Sequence, residues 1–110
     1  MVHMLACFDL KPGTAVADFR TALARFVSYL QSNDLIVNAG PIGLRERDTR
    51  LGSWASSDPE FVVTLTFRDQ AQLDDAYEHL MPHVEPAEAF HAAVYSKVSN
   101  QSFLFWRDLI

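Results

Sequence analysis

One cysteine in 110 residues, Cys7, leaves no partner for an intramolecular disulfide and no thiolate set for a cysteine-built metal site, and it fits a reducing compartment. Positive charge is also scarce. Nine Lys and Arg stand against fourteen Asp and Glu, giving a net charge of −5 and a pI near 5.1, whereas gripping a polyanion takes clustered cations. The one basic cluster, Arg45, Arg47 and Arg50, is interrupted by Glu46 and Asp48. It reads as solvated edge charge or an ion-pair ladder, so no nucleic-acid partner is expected. No apolar run reaches the length of a bilayer span. The first ten residues alternate in polarity, include His3 and Asp9, and lack a basic leader, which is the signature of a strand and not of a signal peptide. A cytoplasmic protein without a membrane partner is the expectation. A Gly-rich phosphate cradle, a nucleophile elbow and a sequence-recognisable catalytic triad are all missing, so no cofactor and no resident metal are expected.

What is present is apolar bulk. Hydrophobic residues make up 49% of the chain and eight of its residues are Phe, enough for one core and one domain spanning residues 1–110. Val2, Met4, Ala6, Phe8 and Leu10 alternate with His3, Leu5, Cys7 and Asp9 in a first strand. Lys11-Pro12-Gly13 breaks it, and Thr14 is placed to cap a helix whose apolar stripe is Val16, Phe19, Leu23, Phe26, Val27 and Leu30. Ser32-Asn33-Asp34 ends that helix. Residues 35–50 read as a long strand kinked at Gly40-Pro41 and Gly43, residues 52–59 as a hairpin loop, and residues 60–67 as a strand with Phe61, Val63, Leu65 and Phe67 on one side. Asp69 and Gln72 have the spacing of a capping box, opening a short helix with Leu73, Ala76, Tyr77 and Leu80. Pro82 interrupts it. A further helix starts near Pro86 and carries Ala87, Phe90 and Val94 to about Lys97, Ser99-Asn100 ends it, and residues 102–109 form the last strand.

This order is that of an α+β, ferredoxin-like β-α-β-β-α-β sandwich, with a four-stranded antiparallel sheet and helices on one face. The opposite face bears His3, Leu5, Cys7, Val62, Thr64 and Thr66, together with either Phe103 and Phe105 or Leu104 and Trp106. A face left in water would carry more Lys, Glu and Arg, so a second copy of the chain is its expected cover. The alternative is a monomer with a merely hydrophobic sheet.

The run His3-Met4-Leu5-Ala6-Cys7-Phe8-Asp9-Leu10-Lys11-Pro12-Gly13, the amphipathic helix after it, and Glu85-Pro86-Ala87-Glu88-Ala89-Phe90-His91 resemble the stress-responsive A/B-barrel proteins. These belong to the dimeric α/β-barrel superfamily, which includes cofactor-independent monooxygenases, muconolactone-isomerase-like enzymes and haem-degrading proteins. The resemblance implies a homodimeric α/β barrel. Two positions depart from the family's pattern: Met4 stands where a His is common, with His3 one place earlier, and Glu88 stands at a second such place, with His91 three residues on.

Three functions fit this reading: a dimeric, stress-related domain binding a small, partly apolar ligand; a cofactor-independent monooxygenase or isomerase with His3 or His91 as base; or an interaction module without catalysis. His3 shares its face with Cys7, Thr64 and Thr66, and a neutral imidazole near the threonine hydroxyls could act as general base on a small acidic substrate. Cys7 itself reads as a small buried hydrophobe. Leu5, Cys7, Thr64, Thr66 and Trp106 are assigned to a ligand pocket or the dimer face, and Trp54 to a pocket mouth or a latch on the partner. Trp106 with Phe103 and Phe105 could line an aromatic pocket or pack as dimer core. Arg45 and Arg47 could grip a carboxylate, but read first as edge charges. His79 and His83 have the i, i+4 spacing of a chelating pair, yet Pro82 between them separates their faces.

Overall fold

The computed structural model describes residues 1–53 and 55–110. Trp54, assigned from sequence to a pocket mouth or latch, lies outside them. The elements run β1 (Val2–Leu10), α1 (Val16–Ser32), β2 (Asn38–Ala39), β3 (Gly43–Leu44), β4 (Phe61–Phe67), α2 (Gln70–Leu80), α3 (Ala87–Tyr95) and β5 (Val98–Arg107). The strands form one antiparallel sheet in the order β2-β4-β1-β5, with β3 also on β4. This is the ferredoxin-like α+β fold expected from the sequence. Among the described residues, no helix is long and apolar enough to cross a membrane.

Alternation in β1 and β4 builds the core. Val2, Ala6 and Phe8 pair in register with Phe67, Val63 and Phe61 and face the helices. Phe19, Leu23, Phe26 and Leu30 of α1 close over them, with Phe8 and Phe19 rings 4.9 Å apart. Phe19 and Leu30 are 2% exposed, and burial of side chains of this size contributes about 1.5–3 kcal/mol each.

Several local expectations are corrected. Thr14 does not cap α1: its amide donates to the Lys11 carbonyl (3.0 Å), closing the turn that Gly13 makes at φ 85°, so the helix starts later, with Ala15 at the cap position. Val16, one position into the helix, lies off the core stripe and is exposed. The long strand over residues 35–50 shrinks to β2 and β3. Gly40 N still donates to Thr64 O (2.8 Å), but Pro41 has no amide with which to continue the ladder. Beyond Arg45 the chain leaves the sheet, because its arginines serve the loop. Arg45 donates to the Ser53 carbonyl and Asp58, and Arg47 to the Ala55 and Asp58 carbonyls, so these are clasps and not edge charges.

The capping box forms with one change. Asp69 accepts from the Gln72 amide (2.9 Å), but the Gln72 side chain reaches back one residue further, its Oε1 accepting from Arg68 N (2.7 Å). Tyr77, expected on the apolar stripe of α2, is exposed, whereas Gln72 is buried. The last strand starts at Val98, not Ser102, and α3 stops at Tyr95. Ser99 and Asn100 form part of β5 at a register shift opposite Cys7 and Asp9, where Asn100 takes φ 51°. Asp9 holds this irregularity: Oδ1 accepts from Glu60 N (2.9 Å) and Oδ2 from Asn100 Nδ2 (3.0 Å).

These bonds, that to Asn100 foremost, hold the Asp9 carboxyl below the usual carboxylate range. The stabilisation is therefore complete above the pKa of an unfolded-chain carboxyl and is lost as pH falls through the lower folded value. Asp9→Ala should lower Tm by a few degrees at pH 7, and the gap to the unmodified protein should close in acid. A gap that persists once the carboxyl is protonated would mean that Asp9 acts by packing.

The register settles which side of β5 faces where. Phe105 and Phe103 stand opposite Met4 and Ala6 and belong to the helix side, while Trp106 and Leu104 stand opposite His3 and Leu5. The open face is therefore His3, Leu5, Cys7, Val62, Thr64, Thr66, Leu104 and Trp106.

Candidate functional site

The helix layer does not close evenly. α3 packs chiefly on α1, through the Phe26–His91 stack (5.4 Å) and the Tyr29–Phe90 stack (4.8 Å), and its face toward β1 and β5 leaves a cavity of about 130 Å³. Met4, Ala6 and Phe8 floor it, Phe26, Val94 and Tyr95 wall it, and Phe103 and Gln101 of the exposed edge strand stand at its side. The lining is apolar apart from Gln101, the Tyr95 hydroxyl and the imidazole of His91.

His91 is the focus of this end of the molecule. Its ring lies against Phe26, edge-on to Tyr95 (4.9 Å), and parallel to His83 (6.4 Å, 13°). Burial pushes its pKa down, which keeps the ring neutral at pH 7, and its Nδ1 is buried with no hydrogen-bond partner among the described residues. Glu88, one turn earlier on α3, takes the Tyr95 hydroxyl on Oε1 (2.6 Å) and lies 2.7 Å from His83 Nδ1 through Oε2. The Tyr95 bond first, then that of His83, hold the Glu88 carboxyl below its ordinary range, and Glu88 in turn raises the Tyr95 phenol. His83 comes from the corner after Pro82. With φ 54°, its amide donates to the Leu80 carbonyl (3.1 Å).

His3, the other sequence candidate, is on the opposite side of the sheet. Its Nδ1 lies 3.0 Å from Thr66 Oγ1 and its Nε2 2.8 Å from Asp108 Oδ1, and the ring stacks on Trp106 at 5.0 Å. The bond to His3 is the main cause that lowers the Asp108 carboxyl, with the nearby amino terminus adding to it. The expected neighbours Thr66 and His3 do meet, but His3 and His91 do not share a site. Leu5, Cys7 and Thr64 lie with His3 on the open face, half-buried. Trp106 is there too, so the aromatic set of Phe103, Phe105 and Trp106 is divided between two faces.

His79 and His83 diverge, as Pro82 implies. His79 Nε2 lies 2.6 Å from the Tyr29 hydroxyl, between α2 and α1, while His83 turns to Glu88. Sequence reasoning did not single out Tyr95 or Asp108. Tyr95 had a legible signal, since Glu88, His91 and Tyr95 at i, i+3 and i+7 share one helical face. Asp108 had none.

Residues 1–109 match the profile of a family of unknown function, DUF6614. No curated protein matches the sequence. Among solved structures, a protein of Arabidopsis thaliana is similar at TM-score 0.74 and 8% identity, with 100% of this chain and 97% of that chain covered. A dimeric ferredoxin-like protein of unknown function from Jannaschia sp. CCS1 is similar at TM-score 0.64 and 18% identity, covering 97% and 98%. A Nitrosomonas europaea protein provisionally named an antibiotic biosynthesis monooxygenase is similar at TM-score 0.62 and 12% identity, covering 100% of both chains. At these identities the likeness is one of fold.

Proposed function

The chain belongs to DUF6614, a family of unknown function, and from that premise we propose that it works as a homodimer that holds a small, largely apolar molecule in the cavity beneath α3. The observation that carries the ligand reading is the buried, unpartnered Nδ1 of His91 in an otherwise largely apolar setting. Apolar pockets with one or two placed polar groups are the usual form of a small-molecule site, and a buried polar atom left without a partner is costly unless something arrives to satisfy it.

Size narrows the class. A cavity of about 130 Å³ compares with voids of about 150 Å³ that admit benzene. A single ring with one hydroxyl fits this volume and offers His91 a hydrogen bond. Phenol should therefore raise Tm by several degrees at saturating concentration, since only native-state binders do so. Benzene should raise it less, and Val94→Phe, which fills the cavity, should abolish the effect. An unchanged Tm with phenol, or an equal rise in Val94→Phe, would sink the ligand reading.

The dimer reading draws on different support. The open face carries Leu104 and Trp106, 60% and 41% exposed in the isolated chain, beside Leu5 and Val62. Contiguous apolar surface of this kind marks an interaction site. Several fold relatives are described as dimeric.

A second reading keeps the same cavity and makes it catalytic, as a cofactor-independent monooxygenase or isomerase that uses the free His91 nitrogen as proton acceptor. It is favoured by that nitrogen alone, and is distinguished by whether a bound phenol is converted or returned unchanged.

A further inference from the structure

We propose that His83, Glu88 and His91 form a binding site for one divalent transition-metal ion, set between the cavity and solvent. Their ligand atoms all lie within 4.8 Å of one another, and each arrives by a separate local cause. Glu88 and His91 stand three residues apart on α3, which puts both side chains on one face of the helix. His83 is folded back toward them by the corner after Pro82.

The donor set fixes the class of ion. Two imidazoles and one carboxylate suit Zn²⁺, Co²⁺, Fe²⁺ or Ni²⁺, whereas Mg²⁺ and Ca²⁺ prefer oxygen donors alone. Three protein ligands also leave a coordination position open, as in metal sites that take a water or a small ligand. The surroundings have the form that a metal centre needs. Tyr95 donates to Glu88 Oε1 and leaves Oε2, the oxygen beside His83, toward the cluster. Such a hydrogen bond from behind orients a carboxylate ligand.

The second, independent observation is the buried Nδ1 of His91, which has no partner among the described residues. An ion held by this cluster would give the His91 ring the partner it lacks. Metal–nitrogen and metal–oxygen distances of about 2.0–2.2 Å bring tetrahedral ligand atoms closer together than the outer limit of this cluster. The exposed His83, on a corner and not a helix, is the ligand free to make up the difference. Binding replaces the hydrogen bond between His83 and Glu88 with two bonds to the ion.

The test is titration of the whole protein with Co²⁺ and with Zn²⁺. One ion per chain should bind, Co²⁺ should show the visible absorption of a low-coordinate site, and Zn²⁺ should raise Tm. His83→Ala and Glu88→Gln should each weaken Co²⁺ binding at least tenfold. His83 is exposed, so its loss leaves the fold intact, and far-ultraviolet circular dichroism checks this. Tyr95→Phe should weaken binding by about tenfold without changing the stoichiometry, the effect typical of an outer-shell partner. His3→Ala removes the imidazole on the other face and should leave the Co²⁺ affinity and stoichiometry unchanged.

Binding at other than one ion per chain, or equal affinity in His83→Ala, would overturn the assignment. The ion and the cavity ligand draw on the same His91 ring, so each should weaken the other, yet the variants separate them: Val94→Phe should lose phenol and keep Co²⁺, and His83→Ala should lose Co²⁺ and keep phenol.

Discussion

Leu104→Glu should run as a monomer at micromolar concentration in size-exclusion chromatography with light scattering, where the unmodified protein should run at twice its 12.4 kDa chain mass. Leu104 stands opposite Leu5, with Trp106 two residues along on the same face. In a face-to-face pair of sheets its side chain meets the partner's apolar surface. A carboxylate there must either be desolvated, at a cost of several kcal/mol, or hold the sheets apart. Tyr77→Glu serves as control, because Tyr77 is exposed on α2, on the far side of the sheet. It should remain dimeric. A monomeric unmodified protein at these concentrations, or a dimeric Leu104→Glu, would remove the open face from consideration as the interface.

Gln72→Leu should lose about 1–3 kcal/mol of stability in chemical denaturation, since it leaves two partly buried backbone groups, Arg68 N and the Asp34 carbonyl, without their side-chain partner. Gln72 is 2% exposed and joins two segments. Its Oε1 accepts from Arg68 N and its Nε2 donates to the Asp34 carbonyl (3.0 Å), tying the start of α2 to the turn after α1. Leucine matches it in size but satisfies neither group. For a chain of 110 residues with a total stability of about 5–15 kcal/mol, this is a large fraction. Gln72→Glu keeps the acceptor for Arg68 N but puts a carboxylate against the Asp34 carbonyl, and should also destabilise. If Gln72→Leu matches the unmodified protein, water or a backbone shift serves both groups.

Periodicity carried most of the fold. In β1 and β4, one face buries and the other does not, so period-2 alternation reports both strand and side. β5 is apolar on both sides, and composition alone could not orient it; the register against β1, shifted at Cys7 and Asp9, does. Residues 35–50 do not make one strand, because Pro41 splits the extended stretch and the arginines bond to the loop that follows, at Ser53 and Asp58. Ser99-Asn100 looked like a stop signal, and in the fold those residues supply a strand irregularity held by Asp9.

The site was legible in half. Glu88 and His91 sit on one helical face by spacing alone, and His91 was singled out from the sequence. His83 joins them through a corner in a left-handed backbone conformation, which no periodicity encodes. On the other face, Thr66 was legible as a neighbour of His3 because both alternate onto the same side. Asp108 reaches His3 from just beyond the end of β5, where strand patterning no longer applies.

β5 lies at the margin of the sheet, bonded to β1 on one side only. Its amide hydrogens therefore divide into two sets: those directed at β1, shielded within the ladder, and the alternate ones directed outward. If copies of the chain pair through the sheet face, the outward set stays wet and exchanges with deuterium orders of magnitude faster than the inward set, at any protein concentration. Should copies instead join strand to strand along this margin, the outward set would become protected as concentration rises. Amide exchange along ten residues can thus report the mode of assembly without a single substitution.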